Sequence, residues 1–377
     1  MIALHPKTLG LTALLLATLS VLGCGGGDSP MEAPTDDGDD NPPPPPAVDY
    51  EGYAIYAVDL NNRLILFGSE SPTTISKMVG IRGLPILNRI VGIDFRPSTG
   101  ELYGVGNDSR VYTLDPGTGE ATPVGAEFSP KIASFFDIHF GMGFDPATER
   151  IRLIARESGA NWSIDPNDGT AVLEETVHYA EGDPNEGSQL RLAGLAYTPV
   201  SAGAASISMP HAAAARLFGP FCPDLDIGDL MWSIDTLLKA IIGSCDPGSG
   251  EFITIAPLEG IDAVLGCAEV NFDPEGNLFG TLLYQAQQGA EALNSLFGIT
   301  PEASSLAASS SISVQLTHLG DLAVNSPIQA IAFDPNAEFR PPSQTTSASA
   351  PLSVAAAGDV LTPGGVSLEE ACAGASR

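Results

Sequence analysis

The sequence has few basic residues and few cysteines, and each shortage excludes a class of function. Against 46 Asp and Glu stand only 16 Lys and Arg, so the 377 residues carry a formal net charge of -30. A surface of this sign repels phosphate backbones and anionic headgroups, so no nucleic-acid partner is expected. The five cysteines form no C-x-x-C pair, which argues against a zinc knuckle or a thioredoxin-like site.

Long apolar runs are also scarce, and the one that stands out follows His5 and Lys7 and ends at Gly23. Its length and position predict a signal peptide over residues 1–23. The "VLGCGGG" at its end resembles the lipobox of bacterial lipoproteins, which implies cleavage before Cys24 and a lipid on that residue. Gly25 then implies the outer membrane of a two-membrane bacterium as the address. An ordinary secretory signal with an incidental cysteine is the alternative.

Composition divides the rest of the chain. Residues 24–49 are rich in Gly, Asp and Pro, which predicts a solvated tether. Residues 50–340 form the folded domain, and residues 341–377 form a low-complexity tail. The four remaining cysteines of an exported chain suggest two disulfides, and all three pairings stay open; Cys222 with Cys245 and Cys267 with Cys372 is the one we favour.

A short motif recurs through the folded domain: a small-residue-rich apolar stretch, an aromatic residue, one polar residue and a proline. The copies are Phe95-Arg96-Pro97, Phe144-Asp145-Pro146, Tyr197-Thr198-Pro199, Phe272-Asp273-Pro274 and Phe333-Asp334-Pro335. Proline cannot donate to a strand ladder, so each copy ends a strand. Because Arg and Thr also occupy the middle position, Asp145 is interpreted as a turn residue and not as a catalytic acid.

The first copies are followed by further strand and turn signals, and the second unit reads as strands over 92–96, 101–106, 109–115 and 120–124. Four-stranded repeats of this length predict an all-β fold, a β-propeller of about five blades. The last motif strand, 328–335, is predicted to close the ring as the inner strand of the blade that begins at residue 52. Six blades is the alternative, should the insertion near 200–228 form strands.

Several of these segments together resemble the DUF4394 family of bacterial exported proteins. They are Gly92 to Pro97, Arg150-Ile151-Arg152, Tyr179-Ala180 with Gly182-Asp183, Asn185 and Gly187, and Arg191 with Ala196-Tyr197-Thr198. Gln189-Leu190 and Pro199 depart from the family pattern. The resemblance implies an extracytoplasmic propeller-like domain and no activity.

Topology indicates where a binding site is expected. The aromatic-x-Pro turns and the Asp-Pro-x-x-Gly turns share one face of a propeller, which we name the turn face. The second-to-third-strand turns and the blade crossings share the other, the loop face. The loop face is irregular, and binding residues tend to lie on loops held by a scaffold. The candidate binding residues there are Asn62, Arg63, Asn107, Asp108, Arg110, Asp137, His139, Asp183 and Asn185. The alternative is that Arg110, Asp183 and Asn185 only join neighbouring crossings by hydrogen bonds.

Three functions follow from these features. The absence of a recognised catalytic motif favours a non-enzymatic envelope module that binds a protein or a glycan, reaching the membrane through its lipid. A propeller hydrolase or lyase that uses Asp137, His139 and Asp183 is the second hypothesis, because the fold hosts many chemistries. The third is a calcium-stabilised scaffold, although "DPNDGT" lacks the spacing of a calcium loop.

Overall fold

The structure is a computed structural model, and it describes residues 50–132, 139–199, 230–258, 264–284, 293–303 and 312–341. The predicted signal peptide, the lipidated Cys24, the tether, the insertion near 200–228 and the tail beyond 341 lie outside these residues. Asp137, Cys222 and Cys372 also lie outside them. No helix in the described ranges is long and apolar enough to cross a membrane.

The described chain forms five antiparallel sheets, one for each predicted blade. Blade 1 contains β1 (Ala54–Asp59), β2 (Arg63–Gly68), β3 (Ser71–Gly80) and the C-terminal β21 (Ile328–Phe333); blade 2 contains β4 (Ile90–Phe95), β5 (Leu102–Gly106), β6 (Arg110–Leu114) and β7 (Ala121–Val124). Blade 3 contains β8 (Phe140–Asp145), β9 (Arg150–Ala155), β10 (Asn161–Ile164) and β11 (Ala171–Leu173).

The last two blades have longer or additional strands. Blade 4 contains β13 (Leu192–Tyr197), β14 (Met231–Asp235), β15 (Ala240–Ser244) and β16 (Glu251–Pro257), and β12 (His178–Tyr179) adds a fifth strand parallel to β16. Blade 5 contains β17 (Val264–Phe272), β18 (Leu278–Tyr284), β19 (Leu293–Ala303) and β20 (Ile312–Asp321). The second unit matches its predicted strands to within two residues.

The five innermost strands close a ring, which makes the fold a five-bladed β-propeller. Each of β4, β8, β13, β17 and β21 contacts the next, and β21 contacts β4. The ring closes as predicted, because β21 pairs antiparallel with β1, from Ile55 opposite Phe333 to Asp59 opposite Ile328. Both ends of the folded chain therefore lie in one sheet, where main-chain hydrogen bonds protect them from fraying.

Small residues let the inner strands approach one another. A Cβ atom on Gly194 would lie 2.4 Å from the Val270 backbone nitrogen, and one on Gly143 would lie 3.0 Å from the Leu195 carbonyl oxygen. Gly194 also has a φ of +66°, a conformation that other L-residues rarely adopt. The small-residue stretches before each motif therefore reflect close contact of backbones around the axis.

The aromatic residue of every motif joins its blade to the preceding one. Each ring packs against a side chain of the neighbouring blade's second strand. Four of these neighbours are aromatic: Tyr56 with Phe95, Tyr103 with Phe144, Trp232 with Phe272 and Phe279 with Phe333, with ring centroids 5.1 to 6.3 Å apart. At the fifth junction, Arg152 lies close to the Tyr197 hydroxyl. The aromatic position is thus fixed by contacts between blades.

The middle residue of the motif begins the turn. Asp145 Oδ1 accepts hydrogen bonds from the backbone nitrogens of Ala147 and Thr148 at 2.9 and 3.2 Å, and its Oδ2 accepts one from the Thr148 hydroxyl at 2.7 Å. Asp334 accepts in the same way from the Asn336 backbone nitrogen at 2.9 Å. These are the hydrogen bonds of Asx turns, so the interpretation of Asp145 as a turn residue is confirmed.

Candidate functional site

A cavity opens on the turn face, where the five motifs meet. It encloses about 460 Å³ and is lined by the aromatic residue of every motif copy and by all five motif prolines. Its remaining lining residues are polar or acidic: Asp94, Ser98, Glu149, Asn271 and Asp273. We name it the proline cavity. The repeated motif therefore also forms a concave surface around the axis.

Two polar side chains occupy the inner end of the proline cavity, one residue before the motif aromatics of blades 2 and 5. Asp94 Oδ1 accepts a hydrogen bond from the Asn271 amide nitrogen at 3.3 Å and one from the Phe95 backbone nitrogen at 2.9 Å. Its Oδ2 accepts from the Phe144 backbone nitrogen at 2.8 Å. The Asn271 amide nitrogen also donates to the Ile331 carbonyl at 3.1 Å. Together they connect the inner strands of four blades.

The surroundings of Asp94 shift the pKa of its carboxyl group. Burial raises the pKa of the Asp94 carboxyl to about 6, although the hydrogen bonds from Phe144, Asn271 and Phe95 act in the opposite direction. Burial disfavours the charged form because the protein replaces water around it. At neutral pH the carboxyl is ionised, and a nearby cation would relieve its desolvation cost.

The outer part of the proline cavity is also acidic. Glu149 forms an ion pair with Arg96 at 2.9 Å and accepts a hydrogen bond from the Ser98 hydroxyl at 2.5 Å. Asp273 accepts from the backbone and amide nitrogens of Asn277, both at 2.8 Å, and burial raises the pKa of its carboxyl. Among the residues that line the cavity, three are acidic and none is basic. The site is therefore suited to a cationic group.

The opposite end of the axis, on the loop face, contains basic residue types. Arg89, His139 and Arg191 stand at equivalent positions immediately before the inner strands of blades 2, 3 and 4. The carbonyl oxygen of each accepts a hydrogen bond from the end of the neighbouring second strand, at 3.0, 3.1 and 3.0 Å. In a chain with a net charge of -30, three consecutive basic positions form a local exception.

The charges at this basic end are partly compensated within the protein. Arg156, only 2% exposed, pairs with Glu157 at 2.8 Å, and Arg191 lies 3.7 Å from the same carboxylate. Burial raises the pKa of Glu269 well above its ordinary value, with the Arg156 charge acting in the opposite direction. Burial lowers the pKa of His139 well below its ordinary value, and the charges of Arg156 and Arg89 act in the same direction. His139 is therefore a neutral ring at neutral pH.

The predicted binding residues of the first two blades take part in local hydrogen bonds and ion pairs. Asn62 Oδ1 accepts from the Ile90 backbone nitrogen at 2.9 Å, and Asn107 Oδ1 accepts from that of Arg89 at 3.0 Å. Asp108 accepts from the Tyr112 hydroxyl at 2.6 Å. The two basic residues form ion pairs, Arg63 with Asp59 at 2.5 Å and Arg110 with Glu127 at 3.7 Å.

Asp183 and Asn185 are the two predicted residues that the structure brings together. Asp183 accepts from the backbone nitrogens of Asn185 and Thr254 at 2.8 and 2.7 Å, and from the Thr254 hydroxyl at 3.0 Å. Asn185 donates to the same hydroxyl at 2.8 Å. They fasten the crossing between blades 3 and 4 to β16. His139 belongs to a different group, with Nε2 3.6 Å from the Cys267 sulfur. The binding role of the loop face stays a prediction.

The sequence alone did not identify Asp94 or Asn271 as site residues. The sequence does contain a pattern that distinguishes these two positions. The residue before the motif aromatic is small in three blades, namely Gly143, Ala196 and Ala332, and polar in the other two. Nor did the sequence alone identify Arg89 and Arg191, which became recognisable as equivalent positions only through the strand pairing.

Neither the disulfides nor a metal site can be read from the described residues. Cys245 and Cys267 are described but the partners we favour for them are not, so the pairing stays a prediction. The described residues include no group of three or more His, Cys, Asp or Glu that could hold a metal ion.

Comparison with known proteins gives a family match and a limited structural likeness. The model of DUF4394, a domain of unknown function, matches residues 63–211, which confirms the resemblance over that segment. No curated protein matches the chain. A chain from the crystal structure of a nidogen/laminin complex is 11% identical with a TM-score of 0.42, over 75% of this chain and 98% of its own. A structural genomics protein of unknown function from Bacteroides thetaiotaomicron VPI-5482 is 12% identical with a TM-score of 0.40, over 64% of this chain and 54% of its own.

Proposed function

We propose that the chain is a lipid-anchored propeller of the cell envelope that binds a partner without catalysing a reaction, and that the partner binds in the proline cavity. The observation that carries this proposal is the cavity itself. It is concave, largely apolar and lined by all five blades, with two polar groups at its inner end. Most small binding sites in proteins combine these features.

The N-terminal sequence supports the proposed location at the membrane. The apolar run before Cys24 and the Gly-, Asp- and Pro-rich stretch after it suit a lipidated cysteine on a long solvated tether. Such a tether holds a domain near a membrane while leaving it free to meet partners. The net charge of -30 suits a domain that stays clear of the anionic surface itself.

The aromatic side chains favour a protein partner over a glycan. The five motif rings are between 3% and 8% exposed, because each packs against the neighbouring blade. Few ring faces are therefore open for a sugar to stack on. The prolines and ring edges instead offer an apolar surface for side chains of a protein.

Photo-crosslinking in intact cells tests this proposal. A photoreactive phenylalanine analogue would replace Ser98, which is exposed and lines the cavity, and in a matched control it would replace Thr122, which is exposed on the outer strand of the same blade. We expect a discrete protein adduct from position 98 and none from position 122. Equal labelling from both positions, or none from position 98, would contradict binding in the proline cavity.

Cell fractionation of a Cys24 variant tests the proposed lipid anchor. Cys24→Ala should move the protein from the membrane fraction to the soluble extracytoplasmic fraction. Retention of the Cys24→Ala variant in the membrane fraction would show that Cys24 is not the anchor.

A further inference from the structure

We propose that the proline cavity recognises a basic side chain, lysine or arginine, of a protein partner, and that Asp94 is the residue that binds its cationic group. This inference rests on the proposed function, because it names the chemistry of the group that enters the same cavity. It makes Asp94 and Asn271 the specificity-determining residues of the site.

Charge complementarity is the first argument. The lining includes Asp94, Glu149 and Asp273 and no basic residue. Arg96 compensates Glu149 at 2.9 Å, and Asp273 is committed to its turn through Asn277. Asp94 accepts only uncharged donors, two backbone nitrogens and one amide. Of the three carboxylates that line the cavity, Asp94 is therefore the one whose charge a bound cation would stabilise most.

The position of Asp94 is the second argument. It lies one residue deeper along the inner strand than Phe95, so a group must pass the prolines and ring edges to reach it. Lysine and arginine have apolar stems of three or four methylenes that pack along such surfaces while the charged head reaches a polar partner. A short polar group would leave these walls uncovered.

Asn271 fixes the carboxylate from the opposite side of the axis. Its amide nitrogen donates to both Asp94 Oδ1 and the Ile331 carbonyl, at 3.3 and 3.1 Å. The carboxylate is therefore held before the ligand arrives, which lowers the ordering cost of binding. Because both oxygens already accept from the protein, the remaining lone pairs set the direction from which a cation approaches.

The chain's own tether is a poor occupant. Residues 24–49 include no lysine or arginine and seven acidic residues, namely Asp28, Glu32, Asp36, Asp37, Asp39, Asp40 and Asp49. An acidic segment is repelled by an acidic cavity. The tail beyond residue 341 has a single basic residue, Arg377, at its end. A separate, basic partner segment complements the site better.

Titration of the full-length protein with blocked peptides tests the inference. The probes are Gly-Gly-Lys-Gly-Gly with neutral ends and the same peptide with Nε-acetyl-lysine, and the readout is the dissociation constant from calorimetry. We expect acetylation to weaken binding at least about ten-fold, because it removes the charge and keeps the stem. This arm needs no variant and so does not depend on refolding.

Two variants complete the design. Asp94→Asn should weaken binding of the lysine peptide about ten-fold and leave binding of the acetylated peptide unchanged. Glu251→Gln removes one negative charge from an exposed position on β16, the fourth strand of blade 4 counted from the axis, and should change neither. Equal affinities for the two peptides, or an equal effect of the two variants, would overturn the role of Asp94. If position 98 still yields an adduct in cells, the cavity keeps its binding role and only the cationic assignment fails.

Discussion

The two ends of the propeller axis differ in how they use polar side chains. On the turn face, repeated turns of one sequence pattern enclose a cavity of about 460 Å³ with an acidic lining. On the loop face, longer and less regular connections place Arg89, His139, Arg156 and Arg191 near the axis, where Glu157 pairs with both Arg156 and Arg191. Irregular loops here join the blades, whereas the regular repeat leaves a concave surface.

A regular repeat can serve as scaffold and still form a concave surface. The aromatic-x-Pro motif is scaffold in each blade, because its ring packs between blades, and in the three copies with Asp at the middle position that residue also caps a turn. Five copies around one axis nevertheless create a cavity that a single copy could not form. The residue before the aromatic sets the polarity of the inner end of the cavity. In blades 2 and 5 this residue is polar, and the two side chains hydrogen-bond to each other.

The largest expected loss of stability comes from removing a buried charge on the loop face, and a more exposed charge on the same face is the control. Arg156→Ala should lower the free energy of unfolding by about 3–5 kcal/mol, because it removes a large buried side chain and leaves Glu157 without the cation 2.8 Å away. Urea denaturation measures this change. Arg110→Ala, in a more exposed pair with Glu127 at 3.7 Å, should cost less than about 1 kcal/mol. Equal costs would mean that the loop face is not held by its buried charges.

A smaller effect is expected from the contacts between blades. Phe144→Leu keeps most of the apolar volume but loses the edge contact with Tyr103, so it should lower the free energy of unfolding by about 1–1.5 kcal/mol. Phe339→Leu is the matched control, because that ring is 47% exposed; its cost should stay within about 0.5 kcal/mol. Thermal unfolding of both variants distinguishes them. A larger loss for Phe339→Leu would argue against the motif ring as a joint between blades.

Turn capping should be smaller again and should not affect binding. Asp145→Ala removes three hydrogen bonds within a single exposed turn, so it should cost about 0.5–1.5 kcal/mol in unfolding free energy. Its affinity for the lysine peptide should equal that of the wild type. A large loss of affinity with unchanged stability would instead make Asp145 a binding residue.

Asp94 is also expected to make the stability of the protein depend on pH. Its pKa is about 6 in the folded protein and about 4 in an unfolded chain, so between these values the folded protein holds a proton that the unfolded chain has released. Stability contributed by this group is therefore lost as pH rises from about 4 to about 6. Comparing the unfolding free energies of wild type and Asp94→Asn across this range isolates the slope. A difference that does not change with pH would contradict the raised pKa.

The sequence was sufficient for the blade count, the closing strand and the turns, because these depend on patterns that repeat within one blade. Proline, in three copies with Asp before it, marks the end of each motif strand. The first strand group lacks a motif strand, and the last motif strand supplies it. The pairing of Asp94 with Asn271 was not predictable in this way. The two residues are separated by 177 positions and meet only because five inner strands curve to one radius. Likewise, β12 joined β16 through a crossing whose sequence has no strand periodicity.

The most direct test compares one charge at each end of the axis in the same titration. Asp94→Asn alters the turn face and Arg191→Gln alters the loop face, and the measured quantity is the dissociation constant for the blocked lysine peptide. The proposed role of Asp94 predicts about ten-fold weaker binding for Asp94→Asn and the wild-type value for Arg191→Gln. A greater change with Arg191→Gln than with Asp94→Asn would contradict it and place the ligand on the loop face.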